Sequence, residues 1–432
     1  MRLELATFPI TQVSIEPGGR TRLQDSHLYV SASEIQAMVC SDVRLASAKV
    51  DIAEPGESAR IVHFCDAIEP RVKVAGSGVC YPSLTGGVET VGSGRTHRLS
   101  GVAVTLSAEY PIKGSGVGAA FEAILDMSGP AAVSPLSRVT NLVLSAKFTP
   151  GYEQTEYHEA LRTAGFRVAR LLAELTLDKQ TDQVQVYELA PAAGLPKVVY
   201  IHELLTHVSL SVPYLFWYGR AITDWMPFWA HPNEFFDGAL LPNALGAYAA
   251  KPSSWEHVNH PVIQRLYEQH GKTLDFVGVI VHRTRFETFE EKQLSANQAA
   301  KLAQLMGAQG AITTWTGAGN AFIEGMLTTQ ALERLGIKAV FMTYEHGGKD
   351  GTEAPLMFTV PEANAIVSLG SLDRPLRLPA VQRVIGDTTV NIDREAGPER
   401  VNAASEINVD WFLPIASGLD HWGAGLQICR AY

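Results

Sequence analysis

The chain has 432 residues, more than one ordinary hydrophobic core accommodates, and this predicts two domains. Hydrophobic residues make up 46% and charged residues 19%, which excludes a largely disordered chain. Lys and Arg number 35 against 45 Asp and Glu, a formal charge of −10 with no basic run, which argues against a nucleic-acid binder.

The amino-terminal segment MRLELATFPITQV lacks the apolar core of a signal peptide. No stretch approaches the ~18 apolar residues of a membrane span. The expected location is cytoplasmic, with no membrane partner.

The first 150 residues read as β-rich. Short apolar runs stand at 28–30, 47–53, 60–64, 70–76 and 101–108, separated by glycine turns at 76–78, 86–87 and 92–94, the pattern of an antiparallel sheet or barrel. A short helix is expected at 33–39. Residues 153–176 predict a longer helix, because Leu161, Gly165, Val168, Leu171, Leu172 and Leu175 recur at three- to four-residue spacing. A boundary near Pro150-Gly151 gives a β-rich domain, 1–150, and a Rossmann-like, mostly parallel α/β domain, 151–432.

In that second part, compact apolar runs at 197–201, 275–281, 310–315, 338–344 and 364–369 predict strands buried on both faces. Ser295 to Gln298 reads as a capping box for an intervening helix, and Asn320 as the cap of the next. Gly307 and Gly336 are the expected stops. Such βαβ units form parallel sheets, and ligands bind beyond the carboxyl ends of their strands. The rim positions are then His202-Glu203, Thr314-Trp315, Glu345-His346 and Gly370. The four cysteines, Cys40, Cys65, Cys80 and Cys429, form no CxxC pair and read as small buried hydrophobes.

Three long segments carry a family resemblance: 51–58 through 68–74; 90–97 followed by 126–130; and Asn259-His-Pro-Val-Ile-Gln-Arg-Leu-Tyr-Glu-Gln-His-Gly271 with 275–280. The chain resembles the α/β proprotein of component B of the glycine, sarcosine and betaine reductases. The resemblance implies a substrate-binding subunit. It also implies cleavage at a cysteine in a Gly/Ala-rich segment, leaving a pyruvoyl group that forms a Schiff base with the substrate amine. A partner selenoprotein would then take the carboxymethyl group.

This sequence departs from that pattern. The cysteine position falls at Leu245, and no Ser, Thr or Cys lies between Gly238 and Pro252; Ser253 and Ser254 are out of register. Self-cleavage needs a side-chain nucleophile just after the scissile bond, so no pyruvoyl is expected.

The chemistry must then come from side chains, a metal or a partner. His202 and His207 are five residues apart, about 140° on a helix, and can share a metal only if a turn intervenes. They are the candidate ligands of a divalent ion such as zinc. Glu203, Glu345 and His346 are the candidate catalytic acid–base groups at strand ends. Arg95, His97, Trp315 and Asp350 are the candidate substrate-binding residues; Arg95 and His97 follow a glycine-rich turn suited to holding a carboxylate. The lone GxG at 317–319 is no nucleotide fingerprint. The aromatic-rich stretch 214–236 could wall a pocket or anchor a partner.

Three readings follow. The favoured one is a subunit of a component-B-like complex that cleaves a C–N or C–S bond of a small amine or amino-acid-like substrate hydrolytically, without pyruvoyl. The alternatives are a true reductase subunit and a non-catalytic substrate-binding scaffold. All imply a hetero- or homo-oligomer with a second subunit resembling the component B partner.

Overall fold

The computed structural model describes residues 1–111, 122–206, 213–244, 251–317, 319–392 and 399–424. The protein is mixed α/β. Its first large sheet is built from the apolar runs of the amino-terminal third. The strand order is Ala123–Asp126, Ala59–Ile68, Val102–Ser107, Thr140–Phe148 and Leu45–Ala53. Every residue of Ala59–Ile68 and Val102–Ser107 is buried, because both faces are covered.

One cover is the helix Gln154–Glu174, close to its expected bounds. It lies so near the sheet that a Cβ on Gly165 would sit 2.8 Å from Leu106 Cδ2 and 2.9 Å from Ile68 Cδ1. The other cover comes from far along the chain. Ile385 and Ala416 pack with Ile61, Phe64 and Leu125, and Arg383–Ile385 pairs in parallel with Ala59–Ile61. Arg60, wholly buried, donates to Asp126 Oδ1 (2.9 Å) and to the carbonyls of Pro379 (2.7 Å), Ala403 (2.6 Å) and Ser405 (2.9 Å). A buried guanidinium needs such partners for its charge and its donors.

A second sheet has the order Val184–Glu188, Arg2–Pro9, Gly94–Ser100, Arg71–Ala75. The stretch expected as a glycine-rich loop beyond Gly94 is thus a strand. Gly94 (φ +81°) permits it: a Cβ there would lie 2.6 Å from Gly76 Cα.

The third sheet has the order Phe228–Ala230, Asp275–Thr284, Lys197–Leu205, Gly310–Trp315, Lys338–Glu345 and Ile366–Ser371. Its neighbours pair in parallel except at Phe228–Ala230. All five compact runs are strands. Helices Phe289–Leu305 and Phe322–Arg334 cover one face with a small-residue surface, Ala299, Ala300, Ala303 and Ala331 packing over Val199, Ile201 and Ile280. Gly307 (φ +74°) and Gly336 (φ +79°) follow their ends as expected.

The first helix begins earlier than its sequence suggests. Thr288 and Glu291 make the capping box, and Glu290 and Glu291 suit the helix dipole. Ser295 is instead buried mid-helix, 2.7 Å from His282 Nε2. Asn320 lies in the 3-10 turn Gly319–Ala321, so the cap of the second helix is Ala321.

Cys65 and Cys80 are buried as expected, whereas Cys40, just past the short helix Ala32–Val39, is exposed; Cys429 lies outside the described residues. Among the described residues no helix is long and apolar enough to cross a membrane.

Candidate functional site

The strand Lys197–Leu205 runs four residues past Ile201, and strand alternation sends His202 and Glu203 to opposite faces. On the His202 face, Tyr200 Oη is 3.0 Å from His202 Nδ1, 3.1 Å from His260 Nε2 and 2.5 Å from Thr314 Oγ1. Trp422 stacks on His260 at 4.1 Å and meets His202 and His257 edge-on. Burial, and then the neighbouring imidazoles, hold His202 and His260 well below the usual imidazole range. Burial pushes His257 down to about 3. These are neutral rings, and His202 Nε2, His260 Nδ1 and both nitrogens of His257 have no hydrogen-bond partner.

Glu203 lies beneath the helix Phe322–Arg334. Neither of its oxygens is hydrogen-bonded, and His282 Nδ1 is 3.4 Å away. Gly325 on that helix admits Phe341, since a Cβ there would lie 2.6 Å from Phe341 Cζ, and it sits in ordinary contact with Glu203 Oε2. Beside it, burial raises Glu324 to about 7 despite Lys292 Nζ at 2.7 Å. Glu203 therefore does not share the His202 face. The second proposed metal ligand, His207, lies outside the described residues.

Glu345 ends its strand half-buried. The next residue, His346, has Nδ1 4.0 Å from Asp373, and burial lowers its pKa. Trp315 is buried, stacks on Tyr344 at 4.8 Å and donates to Thr343 Oγ1 (2.8 Å). Tyr344 is 5.4 Å from His346 and 5.8 Å from His421, whose Nδ1 is 3.1 Å from the Trp315 carbonyl. His346, Trp315 and His202 thus belong to one chain of rings, joined through Tyr344, His421 and Trp422.

The other expected residues lie apart from this chain. Asp350 is exposed and caps a turn, accepting from the backbone and hydroxyl of Thr352. His97 faces inward, 3.1 Å from Thr176 Oγ1 and against Phe8, and Arg95 reaches Glu4 at 4.0 Å. They stand on the strand that follows the glycine turn.

A cavity of about 450 Å3 opens beside the rings, lined among others by Glu69, Arg98, Arg138, Asn259, His421 and Trp422. Asn259 Oδ1 accepts from Arg71 Nη2 (2.9 Å) and Arg98 Nη1 (3.0 Å), and Arg71 Nε donates to Glu69 (2.7 Å). Nearby, Asp237 accepts from Gly92 N (2.7 Å) and Thr96 Oγ1 (2.6 Å) and pairs with Lys73. Residues of the segments 68–74 and 259–271 meet here, with Arg98 next to the segment 90–97.

Sequence reasoning missed His257, His421 and Trp422. His257 and His260 are three residues apart, a spacing that could have flagged them. The Asp420-His-Trp422 segment carries no periodic signal.

Leu245 lies outside the described residues, but its surroundings are defined. The Ala244 carbonyl accepts from Tyr110 Oη, and Lys251 donates to the Asn243 carbonyl. Burial lowers Lys251 to about 8. Ser253 caps the helix Ser254–Val258, and Ser254 Oγ donates to Asp66 (2.6 Å), so both hydroxyls are committed to structure.

A family model described as glycine/sarcosine/betaine reductase component B subunits matches residues 1–412. The chain is 36% identical over 394 residues to the sarcosine reductase complex component B subunit alpha of Peptoclostridium acidaminophilum, covering 89% of each chain. It is 34% identical over 400 residues to the glycine reductase complex component B subunits alpha and beta of Acetoanaerobium sticklandii, covering 91% of this chain and 90% of that one. The betaine reductase complex component B subunit alpha of P. acidaminophilum is 32% identical over 399 residues, with 90% and 88% covered. No solved structure matches.

Proposed function

This chain belongs to the family of glycine/sarcosine/betaine reductase component B subunits, and from that premise we propose that it holds a small amino-acid-like substrate for a component-B-like reductase complex. The observation that carries the reading is spatial. Two segments of family resemblance are far apart in sequence, yet Glu69 and Asn259 from them line one cavity of about 450 Å3, with Arg98 just past a third. That volume suits a small ligand. Hydrolytic C–N cleavage gives way to this reading, since the relatives carry reductase names.

The family's pyruvoyl does not fit this chain, because no Ser, Thr or Cys stands between Gly238 and Pro252 to form it. No step is assigned to it. The chain's own residues bind and orient. Arg98 is committed to Asn259 and Thr7, so exposed Arg138 at the cavity wall is the cation offered to a substrate carboxylate. Glu69 is committed to Arg71, which leaves Glu256 as the lining carboxyl group without a guanidinium partner to meet an amine, and Trp422 and His421 line the same cavity. The reducing chemistry is left to other subunits. Trp225, Met226 and Trp229, 39%, 43% and 48% exposed, supply apolar surface that such an assembly would bury.

Calorimetric titration with glycine, sarcosine and betaine tests the reading. One of them should bind, and Arg138→Gln should weaken it by about tenfold or more, the worth of one charge-assisted hydrogen bond. Affinity for a simple amine without a carboxylate should not change. Equal affinity of both proteins for the amino acid, or no binding of any of the three, would overturn it.

A further inference from the structure

A group of candidate metal ligands lies away from His202. Among the described residues, the group of candidate ligands whose atoms all lie within 4.8 Å of one another is His63, Glu109 and Asp387. These residues line a different cavity, of about 660 Å3, with Ser107 and Tyr110.

His63 sits in the wholly buried strand Ala59–Ile68 and is 3% exposed. Its φ of 54° is a left-handed conformation that side-chain-bearing residues avoid. The pairing register of the strand shifts beside it on both edges. Such bulges re-aim a side chain, often next to a functional site. His63 Nε2 is 3.2 Å from the Thr389 carbonyl. Donation to that carbonyl leaves Nδ1 with its lone pair, the arrangement typical of a metal-ligating imidazole.

Nδ1 has no hydrogen-bond partner, although Glu122 Oε2 lies only 3.2 Å away. That carboxylate is the ring's ion-pair partner when the imidazole is protonated, and a metal bound at the ring takes the proton's place. Glu122 is itself oriented by Asn391, which donates to it from N (2.8 Å) and Nδ2 (3.0 Å).

The two carboxylates arrive from separate segments. Glu109 follows the strand Val102–Ser107, and Asp387 follows Gly386. Gly386 (φ +107°) lets that segment descend onto the sheet, since a Cβ there would lie 2.8 Å from the Val62 carbonyl. Asp387 Oδ1 accepts from Thr388 N (2.6 Å). Arg400 Nη1 is 3.5 Å from Glu109 Oε1, but its side chain is 47% exposed and can swing away when an ion arrives.

We propose that the His63 imidazole and the carboxylates of Glu109 and Asp387 bind one divalent first-row transition-metal ion. One imidazole and two carboxylates suit Zn2+ or Mn2+, and the nitrogen ligand disfavours Mg2+ and Ca2+. The site is separate from the substrate cavity, so its test is independent of the proposed function.

The full-length protein, prepared without chelators, is equilibrated with Zn2+ or Mn2+, desalted and measured by elemental analysis and by thermal melting. About one equivalent of one of these metals should remain, and it should raise the melting temperature. The double variant Glu109→Gln/Asp387→Asn is near-isosteric and replaces residues outside the core. It should keep the wild-type circular dichroism and lose both the equivalent and the metal-induced shift. His202→Ala should keep the equivalent. Absence of both metals from the wild type, retention by the double variant, or loss in His202→Ala would each overturn the assignment.

Discussion

Denaturing mass spectrometry of the purified chain should return a single species at 46.8 kDa. Scission to a pyruvoyl terminus starts with a side-chain nucleophile adding to the preceding carbonyl. The residue in place is Leu245, and the hydroxyls of Ser253 and Ser254 are out of register and hydrogen-bonded elsewhere. The carbonyl that would be attacked is that of Ala244, and it already accepts a hydrogen bond from Tyr110. Burial raises the Tyr110 phenol well above its ordinary range, so it stays protonated as a donor. A donor on that oxygen stabilises charge developing during addition. Leu245→Cys should therefore return cleavage. The thiol adds to the Ala244 carbonyl and the peptide C–N bond breaks to a thioester with a free amine; β-elimination then releases the amino-terminal fragment as a thiocarboxylate and leaves dehydroalanine, whose imine tautomer takes up water to give a pyruvoyl-ended fragment and ammonia. Tyr110→Phe in that background should slow it by roughly two orders of magnitude, as loss of an oxyanion donor does. Two fragments from the wild-type chain would defeat the first expectation, and an intact Leu245→Cys chain the second.

Acid should unfold the protein unusually early. His202, His257 and His260 are buried and neutral, with pKa values far below the unfolded value of about 6.5. Below pH 6.5 the unfolded chain takes up protons at these rings that the folded chain refuses. Stability is therefore complete above that pH and lost as the pH falls. Each ring costs about 1.4 kcal/mol per pH unit, roughly 4 kcal/mol for three between pH 6 and 5. Glu324 acts in the opposite sense: its pKa of about 7 keeps a proton that the unfolded chain releases down to about pH 4.3, offsetting about one ring. For these four groups the remainder is about 3 kcal/mol per unit, a large share of a typical folding free energy of roughly 5–15 kcal/mol; His158 and His231, lowered by burial to about 3 and about 4, add to it, and the buried carboxyls of Asp66, Asp126, Glu234 and Glu256, all raised, oppose it. Urea midpoints at pH 7.5, 6.0 and 5.0 measure it. A flat profile across that range would mean that the rings are protonated or hydrated in the folded state.

The parallel sheet was legible because its strands are compact apolar runs of the right length, and the helix Gln154–Glu174 because its apolar residues keep one face. Arg2–Pro9 and Gly94–Ser100 were missed because polar and glycine residues hide strands whose partners lie far away. Arg383–Ile385 is three residues long and is a strand only because Ala59–Ile61 is there to pair with it. In the site, the strand-end rule led to His202 and Trp315. Glu203 lands on the opposite face from His202 because the strand runs on to Leu205, and local sequence does not mark where pairing stops. Asp350 was a turn residue in a conspicuous setting. His421 and Trp422 were invisible because an irregular segment shows its role only when folded against the rings it contacts.

The pairing of Arg383–Ile385 with Ala59–Ile61, and the grip of Arg60 on the carbonyls of residues 379, 403 and 405, bear on what a cut at 244–245 would do. Everything carboxyl-terminal to such a cut remains stitched into the sheet made by the amino-terminal piece. The halves would behave as complementing fragments, migrating together on a sizing column and parting only in denaturant. During synthesis the same stitching delays completion of the first sheet until residue 385 has left the ribosome, so chains truncated earlier expose a raw sheet edge and leave the Arg60 guanidinium with Asp126 but without its three carbonyl partners.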